Sequence, residues 1–438
     1  MSAAHHLRIT QLASDRRLHH AFAWLHLHEA QLRRWQLEFL AIPAPPFSES
    51  RRAAWFCERF RELGLSEPRL DAEGNAVAEL RPSPSASCPA VDSVSASAVV
   101  LLSAHLDTVF PSGTNCSPRE VEAHILGPGA CDNGAGLAGL LGLAAAMRHA
   151  QIRPDCTILF AANVGEEGEG NLRGMRHLLQ TEPYAGRVRA AIALEGAGER
   201  IVVDQALGSR RLRITLCGPG GHSWADAGRA NPILTMAAAM LELNRTPLPA
   251  RPRTTLNWGV IRGGSSVNSI PESVTADLDL RSVSGGELDR LELQVLQTLQ
   301  RLVEAENRRH GMKTLTLQAK RIGERPLGRL GAGSGLATSL RAVDRHLRIV
   351  TERRIGSTDA NLPLSLGIPA LAIGAGGRGW GIHTLDEGYD PTGRHLALRR
   401  VLLLLLDACT LSGQDASPAQ ADAETAWDPK TSGVHSLT

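Results

Sequence analysis

The stretch Ala98–Thr108, with the sequence AVVLLSAHLDT, decides the fold that we expect. A continuous apolar run of strand length, rich in Val and Leu, is typical of a parallel strand that is buried on both faces. The run stops at His105, and a carboxylate follows at Asp107. In an open α/β sheet, ligands bind in the crevice outside the carboxyl ends of the strands. The stretch therefore predicts an α/β fold with a candidate metal or catalytic site at this strand end.

The composition indicates a folded protein with more than one domain, because 438 residues are too many for one hydrophobic core. The chain is 43% hydrophobic and carries a net charge of +2, and its basic residues are scattered rather than gathered in a stripe for nucleic acid. The longest apolar stretches fall short of the roughly 18 residues that span a bilayer. The amino terminus lacks the order of a secretory signal, and the seven cysteines contain no C-x-x-C pair. We expect a cytoplasmic protein.

Acidic side chains follow the other buried strands that we expect. A helix of small residues at Leu137–Ala150 precedes two apolar runs, at Cys156–Asn163 and Ala190–Leu194. The first run ends in the pair Glu166–Glu167 and the second ends in Glu195. The order of these elements, with short links, is typical of an α/β layer sandwich.

The pattern of secondary-structure signals changes near residue 206. From there, strand-like runs alternate with two long helical segments, and none of these runs is followed by an acidic residue. This pattern predicts a separate α+β domain inserted in the chain. After Pro326 the sequence again has the alternation of helices and strands that is typical of an α/β fold. We expect a helix near 336–346, strands at 347–351 and 369–373, and a final helix at 395–411. The expected organisation is a catalytic domain in two parts, 1–205 and 326–412, an inserted lid at 206–325, a low-complexity insertion at 82–98, and disorder at 1–15 and 413–438.

Oxygen and imidazole donors, without a thiolate, collect at the predicted strand ends and in one later loop. The set comprises His105, Asp107, Asp132, Glu166, Glu167, Glu195 and His383. Such donors suit Zn²⁺, Mn²⁺ or Co²⁺, and the acids outnumber what one ion needs. In two-metal hydrolases a carboxylate bridges two ions about 3.5–4 Å apart. The set therefore favours a site for two metal ions.

Each motif taken alone also permits a structural interpretation. His105 could be a core histidine, the pair Glu166–Glu167 a solvated turn, and Asp132 the N-cap of the helix that follows it. Their joint occurrence at successive strand ends favours the metal site over these alternatives.

Taken in order, the motifs resemble a known family. H-x-D, G-x-G-x-x-D, G-E-E-G, a strand ending in E-G and a late His resemble the co-catalytic zinc peptidases, which include glutamate carboxypeptidase, aminoacylase, succinyl-diaminopimelate desuccinylase and the peptidase T-type di- and tripeptidases. The resemblance covers residues 35–412 with motif order and spacing preserved. It implies a three-layer α/β/α catalytic domain with an inserted α+β domain that serves as a lid and in dimer formation.

The resemblance also implies a ligand set. Asp132 would bridge two zinc ions, with Mn²⁺ or Co²⁺ as substitutes. His105 and Glu195 would complete one site, and Glu167 and His383 would complete the other.

Further roles follow from the same resemblance. Glu166 would be the general base that takes a proton from the bridging water and passes it to the leaving amine. Asp107 would hold the imidazole of His105 through its carboxylate, because residues i and i+2 of an extended chain share a face. Gly165 and Gly168 would allow the irregular backbone that two adjacent glutamates need to line one cavity.

The residues that the resemblance places on the substrate side are His222, Asn268, Arg281, Arg325, Gly356 and Ser357. His222, in the lid motif GPGGHS, would polarise the oxyanion, in this family often from the partner subunit. Arg325 would clamp a substrate carboxylate with its guanidinium. Asn268 also fits a plain turn residue, and Arg281 a salt bridge within the lid.

The expected reaction is hydrolysis of an amide bond in a short peptide or an N-acyl amino acid, by a homodimer without nucleic-acid or membrane partners. Gly134 stands where deacylases usually carry Lys, whereas Glu195 favours carboxypeptidases and deacylases. The alternative is an aminopeptidase-type di- or tripeptidase. A non-catalytic metal-stabilised binding protein is a further hypothesis, and the insertion between Glu195 and Pro326 disfavours a lid-less aminopeptidase.

Overall fold

The computed structural model describes residues 3–82, 98–181, 183–310 and 314–411. Residues 83–97 of the low-complexity insertion predicted at 82–98 lie outside the described residues, and so does the predicted tail at 413–438. The described parts of Met1–Ala206 and Gly328–Ala421 form one compact unit, and those of Leu207–Leu327 form a second. The predicted lid boundaries, 206 and 325, lie within two residues of the limits of the second unit.

The described residues contain the following regular elements. The helices are α1 (Ala3–Ala13), α2 (Arg16–Leu27), α3 (Glu29–Leu40), α4 (Ser50–Glu62), α5 (Gly134–His149), α6 (Arg173–Gln180), α7 (Pro232–Arg245), α8 (Gly285–Arg309), α9 (Gly335–Leu347), α10 (Asn361–Ser365) and α11 (Arg394–Ala408). The strands are β1 (Ser66–Leu70), β2 (Ala76–Leu80), β3 (Val99–His105), β4 (Arg119–Val121), β5 (His124–Leu126), β6 (Thr157–Asn163), β7 (Val188–Leu194), β8 (Ile201–Ala206), β9 (Gly208–Cys217), β10 (Gly221–His222), β11 (Thr255–Gly263), β12 (Ser269–Ile270), β13 (Ser273–Ser282), β14 (Thr316–Arg325), β15 (Gly328–Arg329), β16 (Glu352–Gly356), β17 (Ala370–Ile373), β18 (Arg378–Trp380) and β19 (Gly388–Asp390).

The first unit is built on a mixed sheet with the strand order β1-β2-β6-β3-β7-β17-β8-β15, and β16 pairs with β8. Strand β3 lies parallel to both β6 and β7, so the carboxyl ends of the three strands meet at one edge. Every residue of β3 and β6 is buried. Because successive side chains of a strand point to opposite faces, helices must cover both faces here. The predicted α/β fold class is confirmed.

Helix α5 packs against β3, β6 and β7. Its residues from Gly134 to Met147 are all buried, as a continuous apolar sequence predicts for a helix surrounded by protein. The side chain of Asn133 caps the helix by accepting a hydrogen bond from the backbone N–H of Gly136. The loop before α5, which carries Asp132, is therefore anchored at the edge where the parallel strands end.

The expectation of a disordered amino terminus is wrong for residues 3–15, because α1 is helical and packs on α9 and α11. Ile9 is fully buried against this surface. The guanidinium of Arg8 also donates a hydrogen bond of 2.9 Å to Asp407, whose side chain is inaccessible to solvent. An isolated helix of 11 residues is only marginally stable in water, so these tertiary contacts stabilise the helix.

Replacement of Ile9 by Ala tests this docking. We expect the free energy of unfolding to fall by about 2–5 kcal/mol, because a fully buried side chain leaves a cavity. Urea unfolding measures the change, with Leu7→Ala as the matched control because Leu7 is 58% exposed. Equal stabilities of the two variants would mean that α1 does not pack as described.

Two features of the first unit differ from the sequence prediction. The strand expected at 347–351 begins later, at Glu352, because α9 continues to Leu347 and Arg348 caps it with a φ of +57°. A small sheet with the order β18-β19-β5-β4 was not foreseen. Its strands of three residues are too short for any periodicity to indicate them. This sheet holds both ends of the loop that carries His383.

The second unit is an antiparallel sheet with the order β11-β13-β9-β14, on which α7 and α8 pack. Side chains of β13 alternate, and Val274, Ala276, Leu278 and Leu280 are buried. Such alternation is typical of a sheet with one face on a core and one face in water. The unit has the α+β character that the sequence predicts for residues 206–325.

Among the described residues, no helix has both the length and the apolar character that a membrane span requires.

Candidate metal centre

The carboxyl end of β3 presents the imidazole of His105, which is 1% exposed. Its Nδ1 lies 3.0 Å from the backbone carbonyl oxygen of Asp107, so Nδ1 is the hydrogen-bond donor. Its Nε2 lies 3.1 Å from Asp132 Oδ1 and 3.4 Å from Glu195 Oε1. The lone pairs of His105 Nε2, Asp132 Oδ1 and Glu195 Oε1 thus face one another. A proton or a metal cation between these atoms stabilises the arrangement.

A second group of donors forms around the other oxygen of Asp132. Nε2 of His383 lies 3.1 Å from Asp132 Oδ2 and 3.1 Å from Glu167 Oε1. Asp132 therefore offers one carboxylate oxygen to each imidazole. In each of the two groups, the candidate ligand atoms lie within 4.8 Å of one another.

The donor set of the two groups consists of imidazole nitrogens and carboxylate oxygens, which suits a first-row divalent metal. Glu195 Oε2 is buried and has no hydrogen-bond partner among the residues that the structure describes, as expected of a carboxylate with capacity left for a cation. The residues present therefore fit two metal ions that share Asp132. Glu166 belongs to a third such group, with His105 and Glu167, so its side chain also lies close to this centre.

The electrostatics of the centre reflect dense packing of opposite charges. Hydrogen bonds that His383 donates to the carboxylates of Asp132 and Glu167 raise the pKa of its imidazole to about 10, and burial raises the pKa of Glu195 to about 8. Burial opposes ionisation of Asp132, but the hydrogen bonds with His105 and His383 outweigh it and lower its pKa. Burial also favours neutral His105, yet the charge of Glu195 raises the imidazole pKa well above its usual value. A field that attracts protons this strongly also attracts a divalent cation.

Asp107 contacts the imidazole of His105 through its backbone carbonyl, and its carboxylate has hydrogen-bond partners in the loop of the two glutamates. Its carboxylate accepts hydrogen bonds from the backbone N–H of Glu166, at 3.0 Å, and of Glu167, at 2.7 Å. The carboxylate oxygen Oδ1 lies 3.7 Å from His105 Nδ1, which the Asp107 carbonyl satisfies instead. The reason is that β3 ends at His105, so the same-face rule for an extended chain no longer applies two residues later.

The turn that carries the two glutamates is irregular, as its glycines predict. Gly165 has a φ of +69° and Gly168 a φ of +48°, which a residue with a side chain rarely adopts. A Cβ added to Gly165 would lie 2.6 Å from Arg173 Cγ. Glu166 and Glu167 are consequently both buried, at 6% and 8% exposure.

Sequence reasoning missed Asn133, the residue beside Asp132. Its Nδ2 donates to the carbonyl of Leu194 at 2.9 Å, and its Oδ1 accepts from Gly196 N at 3.1 Å. Asn133 therefore connects the loop of Asp132 to the strand end that carries Glu195. The N-cap interpretation considered for Asp132 belongs to Asn133, and the preference of Asn for that position was the available signal.

Sequence reasoning also missed Asp359, the last residue of the loop at 356–359, which has the sequence GSTD and is called the GSTD loop below. The residue is 1% exposed, and its Oδ2 accepts a hydrogen bond of 2.8 Å from Asn163 Nδ2 at the end of β6. Burial and the nearby charge of Glu166 raise the pKa of Asp359 to about 7. A single acid in a Gly-rich loop gives no sequence signal of such burial.

The replacement Asp359→Asn is expected to change how stability depends on pH. Folding favours the protonated acid, so the contribution of Asp359 to the free energy of unfolding falls by about 1.4 kcal/mol per pH unit between its usual pKa of 3.8 and about 7. The variant lacks this loss, so its stability relative to the parent should rise over that interval and level off above it. Urea unfolding of chelator-treated protein at several pH values measures this difference, and a difference independent of pH would contradict the prediction.

The other residues of the GSTD loop lie in the first unit. Gly356 and Ser357 are half-buried. The backbone N–H of Thr358 donates a hydrogen bond of 2.9 Å to Asn361 Oδ1, so this amide of the loop already has an acceptor within the protein.

The remaining predicted substrate residues, His222, Asn268, Arg281 and Arg325, lie in the second unit. His222 is exposed, and its Nδ1 accepts hydrogen bonds from the backbone N–H groups of Trp224 and Ala225 at 3.1 and 3.3 Å. The neutral imidazole therefore carries its proton on Nε2, which leaves an N–H donor facing away from its own loop.

Asn268, Arg281 and Arg325 differ in their surroundings. Asn268 is exposed, and its Oδ1 accepts a hydrogen bond from Ser266. Arg281 pairs with Asp279 on its own strand at 2.5 Å, so it forms a salt bridge within the second unit. Arg325 is 4% exposed at the end of β14.

Comparison with known proteins identifies the family of the chain. The sequence profile of Peptidase family M20/M25/M40 matches residues 101–407, which is more than half of the chain. The chain belongs to this family. The predicted family resemblance is confirmed.

Two solved structures of other peptidases have a fold similar to that of this chain. A tripeptidase from Staphylococcus aureus has a TM-score of 0.69 and 21% identity, covering 87% of this chain and 99% of that chain. A dinuclear metal-binding peptidase from Bacillus subtilis has a TM-score of 0.61 and 13% identity, covering 88% of this chain and 98% of that chain. At these identities the likeness shows the shared fold.

Among curated proteins, the M20 chain is 28% identical over 204 residues to a probable carboxypeptidase from Paracoccidioides brasiliensis. The match covers 42% of this chain and 45% of that protein, so it spans less than half the length of the relative.

Proposed function

We propose that the protein is a dinuclear-metal hydrolase that cleaves an amide bond in short peptides or N-acyl amino acids. One observation carries the proposal: Asp132 presents Oδ1 to His105 and Oδ2 to His383, each at 3.1 Å. A carboxylate shared in this way between two imidazoles is the arrangement that bridges two metal ions. Membership of the M20 family, and the dinuclear peptidase of B. subtilis with the same fold, support it.

The two groups of donors would each hold one ion. His105 and Glu195 would complete one site with Asp132, and Glu167 and His383 would complete the other. We propose Zn²⁺ as the resident metal, with Mn²⁺ or Co²⁺ as substitutes, because all three accept imidazole and carboxylate ligands. Such ions, when bound, activate water at neutral pH and polarise a carbonyl group.

Glu166 is the proposed general base. Its backbone N–H is fixed by Asp107 and its side chain is buried beside both groups of donors, so the carboxylate is held where a proton must be moved. It would take a proton from the attacking water and give it to the leaving amine. In this arrangement the carboxylate of Asp107 is a positioning group, since it holds the loop of both glutamates.

The substrate-side roles are also proposals. The Nε2–H of His222 is suited to an oxyanion, and the guanidinium of Arg325 to a substrate carboxylate. Asn268, Gly356 and Ser357 would contact the remainder of the substrate. For Arg281, the salt bridge with Asp279 favours a role in keeping the lid sheet in shape.

We place the substrate on the carboxypeptidase or deacylase side, because the curated relatives are named probable carboxypeptidases. The alternative is an aminopeptidase-type tripeptidase, which the similar fold of the S. aureus tripeptidase favours. Hydrolysis of N-blocked and C-blocked dipeptides, in Zn²⁺-loaded protein, decides between them. Cleavage of the N-blocked set alone is expected, cleavage of the C-blocked set alone would favour the alternative, and no cleavage of either would contradict a peptidase.

We also propose a homodimer formed through the second unit. Within the described sheet, β11 is an edge strand, and its residues Val260 and Ile261 are 37% and 53% exposed. An edge with exposed apolar residues is a ready surface for a second copy. Sedimentation should show a dimer that Ile261→Asp dissociates and Val350→Asp does not, since Val350 is exposed in the other unit. A monomeric, fully active parent would contradict this proposal and any action of His222 across subunits.

The proposed compartment is the cytoplasm. The six described cysteines are free and the total of seven is odd, which fits a reducing environment.

A further inference from the structure

Three backbone N–H groups of the loop that ends at Asp132 donate hydrogen bonds to one carboxylate, that of Glu387. Its Oε2 accepts a hydrogen bond of 2.9 Å from Gly129 N, and its Oε1 accepts from Cys131 N at 2.8 Å and from Asp132 N at 2.7 Å. Glu387 is fully buried. Hydrogen bonds to an ionised acceptor are roughly twice as strong as neutral ones, so the ionised carboxylate restrains the loop at three backbone positions.

The same residue is part of the loop that carries His383. Four residues separate the two along the chain, and Glu387 N donates to the carbonyl of Thr384 at 3.2 Å. The carbonyl of Glu387 accepts from Gly127 N at 2.8 Å, and the pairing of β19 with β5 begins at the next residue. Side chain and backbone of one residue thus bind the two loops to each other.

We propose that Glu387 is a positioning residue that holds Asp132 and His383 at the separation needed to bind the second metal ion. The inference rests on the proposed function, because it assigns a metal to the group of Asp132, Glu167 and His383. Removal of the carboxylate frees Asp132 and the loop of His383 to move relative to each other. The affinity for an ion held by both then falls.

The effect is expected to differ between the two metal sites. Asn133 fixes the other side of Asp132 by its bonds to Leu194 O and Gly196 N, beside Glu195. These contacts do not involve Glu387. The site of His105 and Glu195 therefore retains its geometry when Glu387 is changed, whereas the site of His383 loses its support.

The test is Zn²⁺ binding to metal-free protein, measured by competition with a chromophoric chelator, for the parent and for Glu387→Gln. The glutamine keeps the volume of the side chain but replaces one acceptor oxygen by a donor. Asp386→Asn is the matched control, because it makes the same charge change on the adjacent, exposed residue. Glu387→Asp provides a second variant that keeps the charge and shortens the reach, should the glutamine variant not fold. Thermal unfolding of the metal-free proteins reports on the fold separately.

We expect the parent and Asp386→Asn to bind two ions alike, and Glu387→Gln to bind one ion with parent affinity and the other roughly 10- to 100-fold more weakly. Glu387→Asp should weaken the same single ion. Parent affinity for both ions in the Glu387 variants would overturn the inference while leaving the proposed function intact. Equal weakening of both ions, with loss of metal-free stability, would show a general structural role and would also overturn it. A parent that binds no Zn²⁺ would contradict the proposed function itself.

Discussion

Replacement of Glu166 by Gln is expected to lower kcat by about 10²- to 10⁴-fold while the protein still binds two metal ions. The amide cannot accept a proton, so proton transfer from the attacking water loses its base. The backbone N–H of residue 166 continues to donate to Asp107, so the loop that carries Glu167 keeps its conformation. Steady-state hydrolysis of an N-blocked dipeptide measures the loss, and elemental analysis of the dialysed variant measures the bound metal.

Glu169→Gln is the control for this change, because Glu169 is exposed on the same loop and its replacement removes the same charge. We expect it to leave kcat and metal content at the parent values. Loss of a metal equivalent from the Glu166 variant would show that this side chain is a ligand, as its position beside His105 and Glu167 allows. Full activity with full metal content would contradict the assignment of the general base.

Replacement of Asp132 by Ala is expected to abolish binding of both metal ions and to reduce hydrolysis to the background rate. Both imidazoles of the centre lie 3.1 Å from this carboxylate, so its removal takes a ligand from each site. His383→Ala should remove only one ion, because it belongs to one group of donors. Stoichiometry of Zn²⁺ after dialysis measures both variants. An Asp132 variant that holds two ions would contradict the bridging role.

The sequence was sufficient for the parts of the fold that depend on local pattern. The apolar run before His105 predicted a strand that is buried on both faces, and every residue of β3 is buried. The acids after β6 and β7 were identified for the same reason, since parallel strands bring their carboxyl ends to one edge. The order of these motifs was enough to indicate the family.

The supporting residues could not be read from local pattern. Glu387 lies more than 250 residues from the backbone groups that it binds, and the Asp–Glu doublet in which it stands is typical of a solvated turn. The carboxylate of Asp107 turned out to hold the glutamate loop, because the chain leaves the strand at His105. The order of α1 likewise depends on burial of Ile9 against distant helices. Each of these features is set by tertiary contacts that no periodicity encodes.

Anomalous diffraction at the zinc edge, from crystals of the Zn²⁺-loaded protein, tests the two-metal centre most directly. We expect two anomalous peaks about 3.5–4 Å apart, with Asp132 between them, one beside His105 and Glu195 and the other beside Glu167 and His383. A single peak, or two peaks that Asp132 does not join, would contradict a two-metal centre bridged by Asp132.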